Sequence, residues 1–348
     1  MHTLPKEYCT LRDGRRHGRI ILWGWQLSEG HSENQKQQET ISAYVESGID
    51  ALDCADIYTG VEEAIGRVLW EMNQPEKSQT RIHTKHVPDL SAIQKREVTS
   101  WGTRALIERS LQRLRRVQLD LVQFHQWDYA VDTYKISIAT LIELQREGKI
   151  SGLWITNSSL EFIQTLETEC EFVPLTTQNQ YNIIDRRPEK YLLDHAKIKN
   201  IAFYAYWSLM WGLLSEKYFR VSEPNEPFDN RSIRKYMRII MDWGDWDLFQ
   251  NLLETLYAIG KKYNKTISEV AMRWVLDNQN VSAIICGARH PDYADTINNV
   301  FMFSLSEEDR ASIESIYRKW KAIKWDCFDL ERYEPRHRDI MKFNLNDK

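Results

Sequence analysis

Net charge of either sign is nearly missing from this chain of 348 residues. Its 46 lysine and arginine residues almost balance 50 aspartate and glutamate residues, which leaves a formal charge of −4 at pH 7. Disordered chains combine high net charge with few hydrophobic residues, whereas 42% of this chain is hydrophobic. Near-neutral charge also disfavours a nucleic-acid-binding protein, which normally carries a basic face. We therefore expect a folded protein that does not bind nucleic acid.

Cysteines are few, and long apolar runs are absent. Cys9, Cys54, Cys170, Cys286 and Cys327 are scattered and lack any C-x-x-C spacing. Neither a disulfide framework nor a zinc site is therefore expected, and the thiols are predicted to be reduced and partly buried. No apolar run approaches the roughly 18 residues of a membrane span, and the first residues contain no apolar signal region. The sequence predicts a cytoplasmic protein without a metal site or a membrane contact.

Short apolar runs alternate with longer amphipathic stretches from residue 19 nearly to the end of the chain. The spacing of Ile41, Tyr44 and Val45 is typical of one buried helix face. An Asp13-Gly14 turn between two short extendable segments indicates a hairpin before the first long strand. The predicted strands are Ile20–Trp25, Ala51–Cys54, Arg81–Lys85, Leu119–His125, Gly152–Thr156, Leu175–Gln178, Ile201–Tyr206 and Ala283–Cys286.

This alternation predicts an α/β fold, a (β/α)8 TIM barrel. Eight parallel strands, each followed by a helix, close into a barrel, and about 250 residues or more fold in this way as one domain. We expect a single domain over 1–348, with the hairpin at 8–20, the barrel at 20–318 and a C-terminal extension at 319–348. Aromatic residues in the extension favour a segment near the barrel mouth over a disordered tail. The irregular stretch 219–231 is predicted to be a long βα loop.

Ionisable side chains follow several predicted strands, at the carboxyl-terminal end of the barrel, where the active sites of such barrels lie. Asp53 and Tyr58 follow the second strand, Lys85 ends the third and His125 ends the fourth. A free tyrosine titrates at about pH 10, and an adjacent ammonium held by a carboxylate lowers that pKa. The four residues therefore predict a proton-transfer device, in which Tyr58 is the general acid, Lys85 its activator and Asp53 the partner of Lys85. His125 would orient a substrate oxygen.

In this order and context, these residues resemble the aldo-keto reductases. The resemblance runs from about residue 19 to residue 317 and includes the segment Asp-Cys-Ala-Asp-Ile-Tyr at 53–58. Further matching segments lie at 84–85, 119–125, 156–157, 178–182, 212–218 and 286–289. The family implies an eight-stranded barrel, closed at its bottom by an N-terminal hairpin, that binds NADPH across its carboxyl-terminal face. It also implies hydride transfer to a carbonyl while the tyrosine supplies the proton.

The resemblance assigns roles to individual residues. The catalytic tetrad of the family is matched without substitution by Asp53, Tyr58, Lys85 and His125. The cofactor-binding residues that it implies are Thr156, Asn157 and Gln178 at the carboxamide, Tyr206 as the stacking ring, Leu209, Gly212 and Gly287 beside the cofactor, Lys217 and Arg231 at the pyrophosphate, and Arg289 at a 2′-phosphate.

Two segments depart from the family pattern. After the stacking aromatic, many members have Ser-Pro-Leu, whereas residues 207–209 of this chain are Trp-Ser-Leu. At the adenosine end, the family residues are replaced by Tyr293, Thr296 and Ile297, with Asn298 or Asn299 as substitutes after a small shift. We therefore expect NADPH as the cofactor, with NADH as the alternative.

Large rings near the strand ends indicate the substrate side. Trp25, Gln126 and Trp127 are predicted to line the pocket mouth, which suits a planar or apolar small-molecule carbonyl substrate. Packing of the rim is the alternative interpretation of these tryptophans. The favoured function is an NAD(P)H-dependent carbonyl reductase. The alternatives are a cofactor-sensing regulatory subunit like the potassium-channel β-subunits, and non-redox acid–base chemistry on the same fold. The sequence carries no indication of an oligomeric state.

Overall fold

Eight parallel strands form a closed barrel in the computed structural model, which describes residues 6–28, 34–72, 80–228, 230–287, 290–294, 297–319 and 321–341. A short antiparallel hairpin precedes the barrel and consists of β1 (Tyr8–Thr10) and β2 (Arg16–Gly18). The barrel strands are β3 (Ile20–Trp23), β4 (Ala51–Asp53), β5 (Arg81–His86), β6 (Leu119–Phe124), β7 (Ile150–Thr156), β8 (Thr176–Gln180), β9 (Ala202–Tyr206) and β10 (Ala283–Gly287).

Neighbouring barrel strands follow one another in the chain, and β10 pairs with β3 to close the ring. Because the strands are parallel, their carboxyl ends all meet at one face of the barrel. The helices are α1 (Asn34–Glu46), α2 (Val61–Glu71), α3 (Leu90–Gln94), α4 (Ser100–Leu114), α5 (Tyr134–Arg146), α6 (Leu160–Glu169), α7 (Leu192–Ile198), α8 (Arg231–Trp243), α9 (Trp246–Tyr263), α10 (Ile267–Leu276), α11 (Glu307–Tyr317), α12 (Asp329–Tyr333) and α13 (Pro335–Arg338).

The predicted (β/α)8 barrel and its N-terminal hairpin are confirmed. All eight predicted strands are present, with ends that differ by one or two residues. The first strand is two residues shorter than predicted, because β3 ends at Trp23 and the chain turns into a 3-10 helix over Gly24–Leu27. At Gly24 a Cβ would lie 2.7 Å from a methyl of Val61, so only glycine allows this close packing. Trp25 therefore sits on a turn and not on the strand.

The hairpin closes the bottom of the barrel by inserting a side chain into its core. His17 of β2 is almost fully buried and forms a hydrogen bond with the hydroxyl of Tyr204 on β9. Around this contact the barrel core is aromatic, with the His83 and Trp154 rings 4.4 Å apart and the Trp154 and Tyr204 rings 4.9 Å apart. A filled interior of this kind leaves the carboxyl-terminal face as the open end of the barrel.

Two segments outside the repeating pattern cover that open face. After the seventh barrel strand come two 3-10 turns, Met210–Gly212 and Glu216–Tyr218, and the described residues of the predicted loop 219–231 form no further helix or strand before α8 begins at Arg231. The C-terminal segment folds back at the barrel mouth as α12 and α13, with Phe328 and Leu330 buried. None of the helices within the described ranges has both the length and the apolar character needed to cross a membrane.

Candidate active site

Lys85 and Asp53 form a buried ion pair at the carboxyl ends of β5 and β4. The Lys85 ammonium also donates to the carbonyl of Cys54 at 2.9 Å, and the second Asp53 oxygen accepts the side-chain amides of Gln123 at 2.7 Å and Gln178 at 3.0 Å. Burial alone would lower the pKa of Lys85, but the Asp53 carboxylate outweighs it and raises that pKa. The Lys85 ammonium therefore stays protonated at neutral pH although it is buried.

Tyr58 lies on the turn after β4, with its ring centroid 5.1 Å from the Lys85 ammonium. The Trp23 indole N–H approaches its hydroxyl at 3.4 Å, and the Trp25 ring packs edge-on at 5.1 Å. Burial raises the pKa of Tyr58 by more than Lys85 lowers it. The prediction of a lowered Tyr58 pKa is therefore wrong, because the surrounding aromatic rings bury the hydroxyl. The phenol keeps its proton at neutral pH and is available as a proton donor.

His125 follows β6 and is buried beside the same cavity. Its Nδ1 lies 3.3 Å from the carbonyl oxygen of Thr156, which can only accept a hydrogen bond, so Nδ1 carries the ring proton. Burial holds the pKa of His125 well below its usual value, and the ring is neutral. Its Nε2 is then a hydrogen-bond acceptor, and it has no partner among the described residues. This nitrogen suits a substrate or product hydroxyl.

A cavity of about 210 Å³ brings these groups together. Tyr58, Lys85 and His125 contribute to one wall, and both predicted tryptophans, Trp25 and Trp127, contribute to the others. The cavity is also lined by Trp23, Ile57, Val87, Thr156, Asn157, Gln178, Tyr206, Trp207, Arg231, Ser232, Lys235, Phe328, Ile340 and Met341.

Gln126 does not line this cavity, contrary to the prediction. Its side-chain amide donates to the carbonyls of Asp128 at 2.7 Å and Val131 at 2.6 Å. The side chain is therefore buried within its own loop, where it shapes the turn that presents Trp127. A sequence pattern cannot distinguish these two directions, because adjacent residues in an irregular loop have no fixed periodicity.

The predicted carboxamide residues lie next to one another on the cavity wall. The Thr156 hydroxyl donates to the side-chain oxygen of Gln178 at 3.0 Å. The Tyr206 hydroxyl donates to the side-chain oxygen of Asn157 at 2.7 Å. Asn157 also adopts a left-handed conformation with φ of 57°, which asparagine tolerates better than most residues. These mutual hydrogen bonds fix the orientation of the polar side chains before any ligand binds.

A groove of about 630 Å³ adjoins the cavity, and Trp23 and Trp207 line both. Trp207 adopts a left-handed conformation (φ 60°), and its ring packs edge-on against Trp23 at 4.5 Å. This turn is the structural outcome of the Trp-Ser-Leu departure. The predicted cofactor residues that line the groove are Leu209, Gly212, Lys217 and Gly287.

Arg231 and Lys217 do not share a cavity, although both were predicted at the pyrophosphate. Lys217 lines the groove, whereas Arg231 lines the catalytic cavity. Arg231 is the first residue of α8, whose start is capped by the Asn230 side chain, which accepts the Ser232 N–H at 2.7 Å.

At the adenosine end, Tyr293, Ile297 and Asn299 line the groove, whereas Asn298 is buried and donates to the Ser47 carbonyl at 3.4 Å. Of the two proposed substitutes, only Asn299 therefore faces the groove. Arg289 and Thr296 lie outside the described residues.

A sequence model of the aldo/keto reductase family matches residues 19–318. The chain belongs to this family. Aldo-keto reductase YhdN of Bacillus subtilis (strain 168) is 28% identical to it over 325 residues, which cover 89% of this chain and 93% of that protein. The predicted family resemblance is therefore confirmed over nearly the whole barrel.

Solved aldo-keto reductase structures share the fold. The glycerol dehydrogenase AKR11B4 from Gluconobacter oxydans has 25% identity and a TM-score of 0.77, and the match covers 94% of this chain and 98% of that chain. A Gox0644 mutant solved in complex with NADPH has 20% identity and a TM-score of 0.69, with coverage of 93% and 97%. At 20% identity, the similarity to the Gox0644 structure shows a shared fold and nothing further.

One buried acid of this aldo-keto reductase escaped the sequence analysis. Asp56 lies in the segment between Asp53 and Tyr58, and an oxygen of its carboxyl group accepts the Val87 N–H at 3.2 Å. Burial raises the pKa of Asp56 to about 8, with the nearby Glu62 carboxylate as a further cause. The segment itself contained no signal for this, because burial of the carboxyl depends on α2 and β5 packing around it.

We expect Asp56→Asn to stabilise the protein above neutral pH. The folded state holds a proton on Asp56 up to about pH 8, whereas the unfolded chain loses it at about pH 4, so the free energy of unfolding falls by up to about 1.4 kcal/mol per pH unit between these values. Asparagine can still accept the Val87 N–H. Melting temperatures from about pH 5 to about pH 8.5 should show a gain that grows with pH. The exposed Asp194→Asn variant is the control, and a gain that does not change with pH would contradict the prediction.

Proposed function

We propose that this protein reduces an aldehyde or ketone to the alcohol, with hydride from a reduced nicotinamide dinucleotide and a proton from Tyr58. The observation that carries the proposal is the position of a protonated phenol beside a buried, ion-paired ammonium. Both groups line a cavity that also contains polar side chains suited to a carboxamide. A buried phenol and a buried ammonium that share one cavity can supply a proton and stabilise the anion that remains.

The charged groups beside Tyr58, the Lys85 ammonium and its partner Asp53, explain how Tyr58 could donate its proton. A bound NADPH would supply hydride for the carbonyl carbon, and Tyr58 would donate its proton to the carbonyl oxygen. The phenolate left behind is next to the Lys85 ammonium, whose attraction is strong because both groups are buried. Asp53 keeps that ammonium charged and in place. The acceptor Nε2 of His125 then receives the hydrogen bond of the new hydroxyl.

The groove suits an extended dinucleotide that enters the cavity with its nicotinamide end. Thr156, Asn157 and Gln178 would hold the carboxamide, Tyr206 offers a ring face, and Lys217 supplies a cation for the pyrophosphate. The Gox0644 structure with the same fold holds NADPH. We propose NADPH as the cofactor, with NADH as the alternative.

The cavity walls favour an aromatic or apolar carbonyl compound. Rings from Trp25, Trp127 and Phe328 face a space of about 210 Å³, together with the aliphatic side chains of Ile57 and Val87. Burying these apolar surfaces against a planar ring favours binding, whereas a small polyhydroxylated substrate would leave them exposed to water. A benzaldehyde-sized substrate is therefore preferred over a triose.

A titration with NADPH and NADH tests the proposal first. Trp23 and Trp207 line the groove, so energy transfer from tryptophan to the reduced nicotinamide should saturate as the cofactor binds. A panel of aromatic and small polar aldehydes then tests turnover through consumption of the cofactor. Binding followed by reduction of aromatic aldehydes is expected. The absence of binding to either dinucleotide would refute the redox function, and tight binding without turnover would favour the regulatory subunit. Product formed without cofactor oxidation would favour non-redox chemistry.

A further inference from the structure

The C-terminal segment forms part of the candidate active site although it lies beyond the family match at residues 19–318. Phe328, Ile340 and Met341 line the catalytic cavity. The Phe328 ring packs edge-on against His125 with 5.7 Å between ring centroids. The segment therefore touches both the substrate space and one of the four candidate catalytic residues.

Two adjacent buried residues of α12, Glu331 and Arg332, hold this segment against the barrel. Glu331 is buried and accepts two hydrogen bonds from the Arg187 guanidinium, at 3.0 and 3.1 Å. It also forms an ion pair with Lys235 at 3.0 Å. Burial would raise the pKa of Glu331, but the charges of Arg187 and Lys235 hold it below its usual range. Arg187 is in turn bound to Asp185. This network anchors α12 firmly, because each buried charge has a partner.

The second residue, Arg332, points the other way and binds the two loops that carry the site. Its guanidinium donates to the carbonyl oxygens of Trp127 at 3.1 Å and Gln126 at 3.2 Å, both in the loop after β6. It also donates to the carbonyl of Asn157 at 2.7 Å, in the loop after β7, and stacks on the Tyr129 ring at 3.8 Å. A rigid guanidinium can join several carbonyls in this way, whereas a lysine ammonium cannot match the same geometry.

The contact with Asn157 bears directly on the carboxamide site. The Asn157 N–H donates to the Gln178 carbonyl at 2.9 Å, and its carbonyl accepts from both Arg332 and Tyr129, each at 2.7 Å. The left-handed backbone of Asn157 is thus held from both sides. Loss of Arg332 would leave Tyr129 as the remaining described donor to the Asn157 carbonyl, so the peptide and its side chain would be free to shift in the cavity.

We propose that Arg332 is a positioning residue that sets the carboxamide side and the substrate wall of the active site in register. This inference rests on the proposed function. Through Asn157 the guanidinium orients the groups that would hold the nicotinamide, and through the Trp127 carbonyl it sets the ring beside His125, 4.4 Å away. The structure thereby assigns to a residue outside the family-matched region a role in aligning cofactor and substrate.

Arg332→Ala tests this inference. We expect its kcat/KM for an aromatic aldehyde to fall about 10- to 100-fold and its Kd for NADPH to rise, since several charge-assisted hydrogen bonds are lost. Millimolar guanidinium ion should restore part of the lost kcat/KM, whereas sodium chloride at equal ionic strength should not. Arg336→Ala removes a guanidinium from the same segment, where it pairs with Asp242 at the surface, and should match the parent.

The outcomes separate this inference from the proposed function. If the parent protein fails to bind a dinucleotide, the proposed function is wrong. If the parent is active and Arg332→Ala keeps its kcat/KM and Kd, the positioning role is wrong. A loss that guanidinium does not relieve, or that Arg336→Ala shares, indicates only a structural anchor and also refutes it. Should Arg332→Ala not fold, Arg332→Lys keeps the charge, and parental kcat/KM in that variant would equally refute the role.

Discussion

Tyr58→Phe is expected to lower kcat for aldehyde reduction about 10²- to 10⁴-fold while the Kd for NADPH stays close to the parental value. The variant removes one oxygen, which is the group that the proposed mechanism needs as a proton donor. The ring and its packing against Trp25 remain, so the cavity keeps its shape. The lost hydrogen bond to Trp23 is long, at 3.4 Å, and its removal should cost little stability.

Steady-state kinetics and tryptophan energy transfer on the same preparations provide the measurement. Tyr191→Phe removes the hydroxyl of an exposed tyrosine and should leave both quantities unchanged. If Tyr58→Phe retained most of the parental kcat, the proton would have another source. If it lost NADPH binding as well, the hydroxyl would be part of the cofactor site.

Asp53→Asn is expected to lower the free energy of unfolding by about 3 to 5 kcal/mol. The Lys85 ammonium would remain buried with the Cys54 carbonyl as its other hydrogen-bond acceptor in the described structure. An unpaired charge in a low-dielectric interior costs far more than the pair contributes. The Gln123 and Gln178 amides would also lose a charged acceptor. Urea denaturation of both proteins measures the difference.

The double variant Asp53→Asn with Lys85→Met separates stability from chemistry. With both charges removed, we expect most of the lost stability to return, because a neutral pair of similar volume avoids the buried charge. Aldehyde reduction should stay near zero, since no ammonium is left to stabilise the Tyr58 phenolate. A double variant as unstable as Asp53→Asn would show that packing, and not the unpaired charge, causes the loss. Recovered activity would contradict the role of Lys85.

The candidate active site of this protein includes residues beyond the family-matched region. The family match stops at residue 318, yet Phe328 and Arg332 contact the cavity and its loops. A comparison of substrate preference within the family would therefore have to include this segment. Detachment of the segment would leave the buried Glu331 carboxylate without Arg187 and Lys235, and Arg332 without its loop carbonyls, which explains why the segment stays attached.

The order of strands and helices was predictable because hydrophobic periodicity is a local property of the chain. The tetrad residues were predictable for a related reason. Parallel strands of one barrel end at one face, so Asp53, Lys85 and His125 had to approach one another once their strands were recognised. The family resemblance added the cofactor residues, and the structure places Thr156, Asn157, Gln178 and Tyr206 together on the cavity wall.

Other features depended on contacts between distant parts of the chain. The direction of Gln126 follows from hydrogen bonds within its loop, and the cavity that Arg231 lines depends on how α8 packs over the barrel mouth. The raised pKa of Tyr58 follows from burial by surrounding rings. Arg332 reaches Asn157 across 175 residues of sequence. The sequence by itself determined the barrel and the chemical types at its strand ends. Only the tertiary structure decided which side chains face the cavity and how readily they ionise, because burial is a property of the packed whole.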